Sequence, residues 1–150
     1  MLFRSKPGKV LVLGGGTAGL AAATIAHGMR ADVTVVDINQ NRLAQIDQIF
    51  AGTVKTVMSN LHEIEEQALQ ADMVIGAVLV HGAKAPRLIT NEIVKRMKPG
   101  AVLVDIAIDQ GGCFEDSHPT THAEPTFKVH DALFYCVANM RSEEHTSELQ

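Results

Sequence analysis

The chain has 150 residues, 46% apolar and 20% charged, which gives length and hydrophobicity for one domain with a real core and argues against disorder. A formal net charge of −4, no basic run and only 4% aromatic residues do not make the footprint of a nucleic-acid binder. The longest apolar run, 73–80, falls well short of the ~18 residues of a membrane span, and two cysteines with no preceding signal pattern read as reduced cytoplasmic thiols rather than a secreted disulfide framework.

Residues 1–7 read as an N-terminal stump of a longer product, and 8–140 as the domain. Its first strand is 9–13, KVLVL, followed by a glycine turn and a helix over 18–29. Leu20, Ala21, Ala22, Ala23, Ile25 and Ala26 make that helix small and apolar almost all round, as expected of one pressed onto a sheet. The second strand, 32–37, is favoured by β-branched Val33, Thr34, Val35 and Val36. Leu43, Ile46, Ile49 and Phe50 then recur at helical spacing.

A third strand over 54–58 leads to a helix capped by Ser59 or Asn60, with Glu63 completing a capping-box-like start and Leu61, Ile64, Ala68 and Leu69 as its buried stripe. Strand 74–80, a helix over 90–97 stopped by Pro99-Gly100, and strand 101–106 follow. A hairpin of 126–129 and 132–137 turning at His130-Asp131 closes the domain. Alternating strands and helices predict a single α/β domain, a Rossmann-type doubly wound sheet of six parallel strands with one odd crossover. The abruptly polar tail 141–150, RSEEHTSELQ, back-translates into a common sequencing-library adapter and is expected to be artefactual.

The turn after the first strand reads Gly14-x-Gly16-x-x-Gly19. Three glycines alone are weak evidence, but here a strand feeds them, a helix leaves them, and Asp37 ends the next strand at dinucleotide-fold spacing. Gly14 permits the turn, Gly16 lets backbone approach a pyrophosphate, and Gly19 lets the helix close on the strand. The N–H groups around Thr17 face the anion. Asp37 can accept from both adenosine ribose hydroxyls and repel a 2′-phosphate, which favours NAD over NADP, although Arg42 lies near enough to serve such a phosphate.

The stretch DIAIDQGGCFEDSH, with PTTH after it, begins at position 105 at the end of the fifth strand. Asp109, Cys113, His118 and His122 invite a metal reading, but they lack the paired short spacings of zinc ligands. No metal is expected, Cys113 reads as a buried thiol and His122 as a loop or capping histidine. The loop instead leaves the carboxyl end of a strand, where open α/β sheets bind ligands. Asp109 stands out there as a carboxylate able to orient a nicotinamide or manage a proton.

At these residues the chain resembles a known family. VLVLGGGTAGLAAA with VVDIN, IGAVLVHGAKAPRLIT, VDIAIDQGGCFEDSHPTTHAEPTF and YCVANM together look like the NAD-binding domain of bacterial L-alanine dehydrogenase, in the alanine dehydrogenase and nicotinamide nucleotide transhydrogenase family. The resemblance runs from about 7 to 140, and the transhydrogenase branch is not expected to carry the DQGGC block. It implies oxidative deamination of L-alanine to pyruvate and ammonia with NAD, in a cytoplasmic homohexamer.

It also implies roles for residues. Asp37 would hold the adenosine ribose, Thr17 the pyrophosphate, and Arg42 and Ser59 the adenosine half. Val78 and Leu79 would line the nicotinamide side, Ile106, Ala107, Ile108 and Asp109 with Val137, Ala138, Asn139 and Met140 would frame the nicotinamide, and Asp109 would be catalytic. Val78 and Leu79 are equally core residues of any such fold, and Ser59 equally a plain helix cap. His81 stands where the family usually has proline, and Met29-Arg30 where it has Leu-Gly. In the family a separate substrate domain supplies a lysine and a histidine with no counterpart here, so the chain by itself is expected to bind NAD without turnover. The alternative is a transhydrogenase-like or stand-alone, non-catalytic NAD(H)-binding module.

Overall fold

The computed structural model describes residues 6–80 and 85–138. Strands β1 (Lys9–Leu13), β2 (Asp32–Asp37), β3 (Lys55–Met58), β4 (Met73–Gly76), β5 (Val102–Asp105), β6 (Thr126–Val129) and β7 (Ala132–Tyr135) form one sheet in the order β3-β2-β1-β4-β5-β7-β6. The six strands from β3 to β7 run parallel and β6 returns antiparallel at the edge, so the expected doubly wound sheet is what forms.

Helices α1 (Thr17–Gly28), α2 (Gln40–Ile49), α3 (Leu61–Gln70) and α4 (Asn91–Arg96) join them. Side chains alternate across the strands. Val12, Val33, Val35 and Ile75 pack with Ala23 of α1 and Ile46 of α2, while Leu11, Leu13, Val36 and Val74 face Ile64 and Ala68 of α3 and Ile93 and Val94 of α4. Each such side chain contributes roughly 1.5–3 kcal/mol by leaving water.

Several expected details change. α1 buries only Gly19 and Ala23, and Ile25 is 65% exposed, because a helix on an open sheet covers itself on one side only. Leu61 (70% exposed) likewise falls outside the buried stripe assigned to it, and Ile49 (56%), though at helical spacing with Leu43 and Ile46, is not buried with them. β4 ends at Gly76 instead of continuing to 80: Ala77 makes a last bond to the Leu13 carbonyl, and the chain then lifts away to meet the loop after β5. β7 stops at Tyr135, and Val137 makes an isolated bridge to Thr120. Asn60, not Ser59, caps α3 by accepting from the Glu63 N–H.

Candidate functional site

The parallel register sets Val36, Leu13, Gly76 and Asp105 side by side across β2, β1, β4 and β5. From β1 the chain winds outward through β2 and β3, and from β4 it winds the other way. The carboxyl ends of β1 and β4 therefore flank the switch point, where open α/β sheets leave a crevice.

The glycine turn fills one side of it. Gly14 has φ +100°, and a Cβ there would lie 2.8 Å from the Ala77 carbonyl oxygen. A Cβ on Gly19 would come within 1.7 Å of the Gly14 oxygen, so that glycine is what lets α1 seat on β1. Gly16 differs, with nothing within 4 Å of where its Cβ would be. It is the N-cap of α1 and provides no side-chain cap, and exposed Thr17 begins the helix. Uncovered first-turn N–H groups beside open space are a fit for a phosphate.

Asp37 ends β2 beside this turn. Its Oδ2 accepts from the Gly15 N–H at 2.7 Å and its Oδ1 from the Asn39 N–H at 2.8 Å. Arg42 donates through Nε to the Gly15 carbonyl at 2.5 Å and through Nη1 to Gln45 at 3.0 Å. Gly15, which sequence reasoning passed over, is thus gripped at both its polar groups. A carboxylate has about four acceptor sites, so Asp37 keeps capacity on both oxygens for vicinal hydroxyls. Ser59 donates its N–H to the Asp37 carbonyl, which sets it at the same edge. Ile38 (79% exposed) and Met58 (47%) add apolar surface there that a flat base could cover. The signal for Ile38 was in the sequence: an apolar residue following the strand-ending acid.

On the other side, Val78 is half-buried and Leu79 is 38% exposed. Ile106 is half-buried, whereas Ala107 and Ile108 are buried and offer a ligand only their main chain. Asp109 is exposed, in a one-turn 3₁₀ helix (Ile108–Gln110). Gln110 ties the two loops, its side-chain oxygen accepting from Val80 N–H at 3.1 Å and its carbonyl from Ala85 N–H at 3.0 Å. Val137 is buried and Ala138 half-buried at the end of the hairpin. Asn139, Met140 and His81 lie outside the described residues.

Asp105 was counted in the sequence but given no role. It is wholly buried, and its carboxylate accepts from Ala107 N–H at 3.0 Å, Cys113 N–H at 2.8 Å and the Ser117 hydroxyl. Burial pushes its pKa up, against the pull of those donors. Cys113 is a buried thiol as expected, raised to about 12 by burial and by the Asp105 charge, and Cys136 is raised to about 11, mainly by burial. Cys113 Sγ turns to the Val78 carbonyl and His118 stacks on Phe127, their ring centroids 3.8 Å apart. Among the described residues no three or more of His, Cys, Asp and Glu are placed to hold a metal ion.

A crevice at the switch point of a doubly wound sheet, with an open glycine at a helix start and an acid ending the next strand, defines a dinucleotide-binding domain. The chain belongs to the alanine dehydrogenase/PNT C-terminal domain family, whose model matches residues 3–147, and that domain is the family's NAD(H)-binding one. It is 65% identical over 134 residues to an alanine dehydrogenase of Mycolicibacterium smegmatis and 55% identical over 134 residues to alanine dehydrogenase 2 of Staphylococcus aureus. Each match covers 89% of this chain but 36% of the relative, so the chain spans about a third of their length.

Among solved structures, an L-alanine dehydrogenase superposes with a TM-score of 0.88 at 46% identity, covering 92% of this chain and 38% of that one. A transhydrogenase from Sinorhizobium meliloti superposes at 0.78 with 30% identity, covering 89% and 38%. The resemblance carried by the DQGGC block and the glycine turn therefore holds.

Proposed function

We propose that this chain is the NAD-binding part of an alanine dehydrogenase, an enzyme that oxidatively deaminates L-alanine to pyruvate and ammonia. The observation that carries the reading is the placement of Asp109 and the glycine turn on the same edge of the sheet, at the carboxyl ends of β5 and β1. Bound NAD supplies the hydride acceptor. The chain's own residues hold and orient it: N–H groups at Gly16 and Thr17 take the pyrophosphate, and Asp37, with Arg42 and Ser59 beside it, takes the adenosine ribose. Val78, Leu79, the main chain of 106–108 and residues 137–138 frame the nicotinamide end, and the alanine dehydrogenase resemblance adds Asn139 and Met140 to them. Asp109 faces it as the catalytic carboxylate, orienting the carboxamide or ribose and handling a proton.

The partner substrate is gripped by a separate domain, so this chain binds NAD and turns over nothing by itself. The parent enzyme is read as a cytoplasmic homohexamer, on the alanine dehydrogenase resemblance. The transhydrogenase-like alternative is less well supported, since that solved structure is 30% identical against 65% for the dehydrogenase of M. smegmatis.

Fluorescence titration of the chain with NADH and with NADPH tests the cofactor reading. NADH is expected to bind more tightly, and Asp37→Gly to weaken it and narrow the difference. Equal affinities in the unaltered chain would overturn the role of Asp37. Joining the chain to a substrate domain should then restore alanine-dependent NADH formation, and Asp109→Asn should abolish it.

A further inference from the structure

We infer that Asp105 is the positioning residue of the inner end of the crevice: one buried carboxylate sets the backbone of 107–117 and, through it, the loop after β4. The inference rests on the reading of Asp109 as a ligand-facing group, and names what holds that group in place.

Asp105 grips the loop on both sides of Asp109, at Ala107 before it and at Cys113 and Ser117 after it. Inside that span the chain closes on itself, Gln110 N–H and Gly112 N–H both donating to the Ala107 carbonyl, at 2.9 and 3.0 Å. The neighbouring glycines make room for the arrangement. Gly112 has φ +89°, and a Cβ on it would lie 2.7 Å from Asp105 Oδ2. A Cβ on Gly76, beside Asp105 in the sheet, would meet Cys113 Cβ at 2.9 Å.

The loop so fixed then holds the segment after β4 at four points. Gln110 accepts from Val80 and Ala85, the Cys113 carbonyl accepts from Leu88 N–H at 2.7 Å, and Glu115 N–H donates to the Ile89 carbonyl at 2.8 Å. This is a contiguous network of hydrogen bonds from a single buried acid to both loops beside the crevice. An acid in an apolar core is costly unless every acceptor is used, and leaving its partners unpaired is costlier still. Nothing about packing β5 requires an acid at that position; holding three separate donors does.

Asp105→Asn tests this, because an amide must turn its NH2 toward one of the two backbone N–H donors. Ser117→Ala is the milder partner, removing one donor and keeping the carboxylate. The chain and both variants are titrated with NADH and with ADP-ribose, which lacks the nicotinamide, and amide hydrogen exchange is followed by residue. For Asp105→Asn the NADH Kd is expected to rise about tenfold, the result of a loop that keeps its binding-competent arrangement only about a tenth of the time, with ADP-ribose affinity unchanged and faster exchange at Val80, Ala85 and Leu88 but not in β1 or β2. Ser117→Ala should show the same pattern, smaller.

Parallel weakening of both ligands, or unchanged exchange at Val80 and Ala85, would overturn the assignment. An unaltered chain that binds neither ligand refutes the crevice reading instead, and Asp105 is then decided by exchange alone: faster exchange at Val80 and Ala85 upholds its hold on both loops, unchanged exchange ends it.

Discussion

At the β1–α1 turn, the atoms offered to a ligand are main-chain N–H groups, and what orders them is the absence of side chains at Gly14, Gly16 and Gly19. At the far end of the crevice, the loop after β5 is ordered by a side chain, the buried Asp105 carboxylate, around which 107–117 is folded. The first device is written in glycines at fixed offsets along one short stretch of sequence. The second is a tertiary network, weakened by the loss of any one acceptor or donor. Backbone that must meet an anion is built by omission, and backbone that must present a carboxylate at a fixed place is built by a buried clamp.

The contrast breaks most sharply within the glycine turn itself. Gly19→Ala would drive a methyl into the Gly14 carbonyl, backbone against backbone, and should cost about 3 kcal/mol or more as overpacking. Gly16→Ala meets open space and should leave stability within about 0.5 kcal/mol, as an exposed substitution does. Yet Gly16→Ala puts its methyl where a pyrophosphate would rest, so NADH affinity should fall while the urea midpoint stays. A Gly16→Ala chain that binds NADH normally would remove the phosphate from that turn.

The clamp has a matching pair. Gly111 and Gly112 have φ +97° and +89°, so alanine at either is strained by about 1–2 kcal/mol. Only at Gly112 does the added methyl also meet Asp105 Oδ2 at 2.7 Å and Ser117 Cβ at 2.8 Å. Urea unfolding should therefore rank Gly112→Ala below Gly111→Ala by a further ~1–3 kcal/mol. Equal losses would mean that the contact with Asp105 carries no weight.

The same contrast explains what the sequence revealed. The strand and helix order, the sheet class and the glycine turn were legible because each rests on a pattern local in the chain: unbroken apolar and β-branched runs in β1 and β2, three and four spacing in α2 and α3, and glycines at fixed offsets before Asp37. Asp105 was visible only as one aspartate among three in DIAIDQGGCFEDSH, since its partners at 107, 113 and 117 are set by how the loop closes. A charged residue ending an apolar strand, with glycine and serine downstream, was the available signal. Gly15 was passed over for a similar reason, its importance lying in Asp37 and Arg42, 22 and 27 positions away. The overlong β4 and the misplaced Leu61 show the limit of apolar runs, which report hydrophobicity but not where a chain leaves the sheet.

The two thiols of the clamp region set a pH dependence. Burial raises Cys113 from 9.0 to about 12 and Cys136 from 9.0 to about 11, so the folded chain holds these protons more tightly than the unfolded one. Their contribution is fully present below pH 9 and is lost as pH rises toward 11 and 12. Unfolding free energy should therefore decline over that alkaline range, and Cys136→Ala should flatten part of the decline. At pH 8.5 both thiols should alkylate slowly in the folded chain and quickly in urea. Rapid labelling of Cys113 without denaturant would show that the loop opens more readily than a clamp allows.

The smallest expected effect lies at the end of α1 away from the crevice. Arg30 takes φ +67°, donating its N–H to His27 at 2.9 Å, while Ala31 N–H reaches the Ala26 carbonyl at 3.0 Å. This is a Schellman closure, in which the left-handed position is usually glycine. Arginine there carries left-handed strain of about 1–2 kcal/mol, partly offset because glycine loses about 0.5–1 kcal/mol more backbone entropy on folding. Arg30→Gly should therefore raise stability by about 0.5–1 kcal/mol, read as a higher urea midpoint at unchanged m-value. Because the N–H groups of the glycine turn are ordered at the opposite end of the helix, NADH affinity should not move with it. A change in affinity would mean that α1 transmits strain along its length, and that the crevice depends on more than the missing side chains at its own edge.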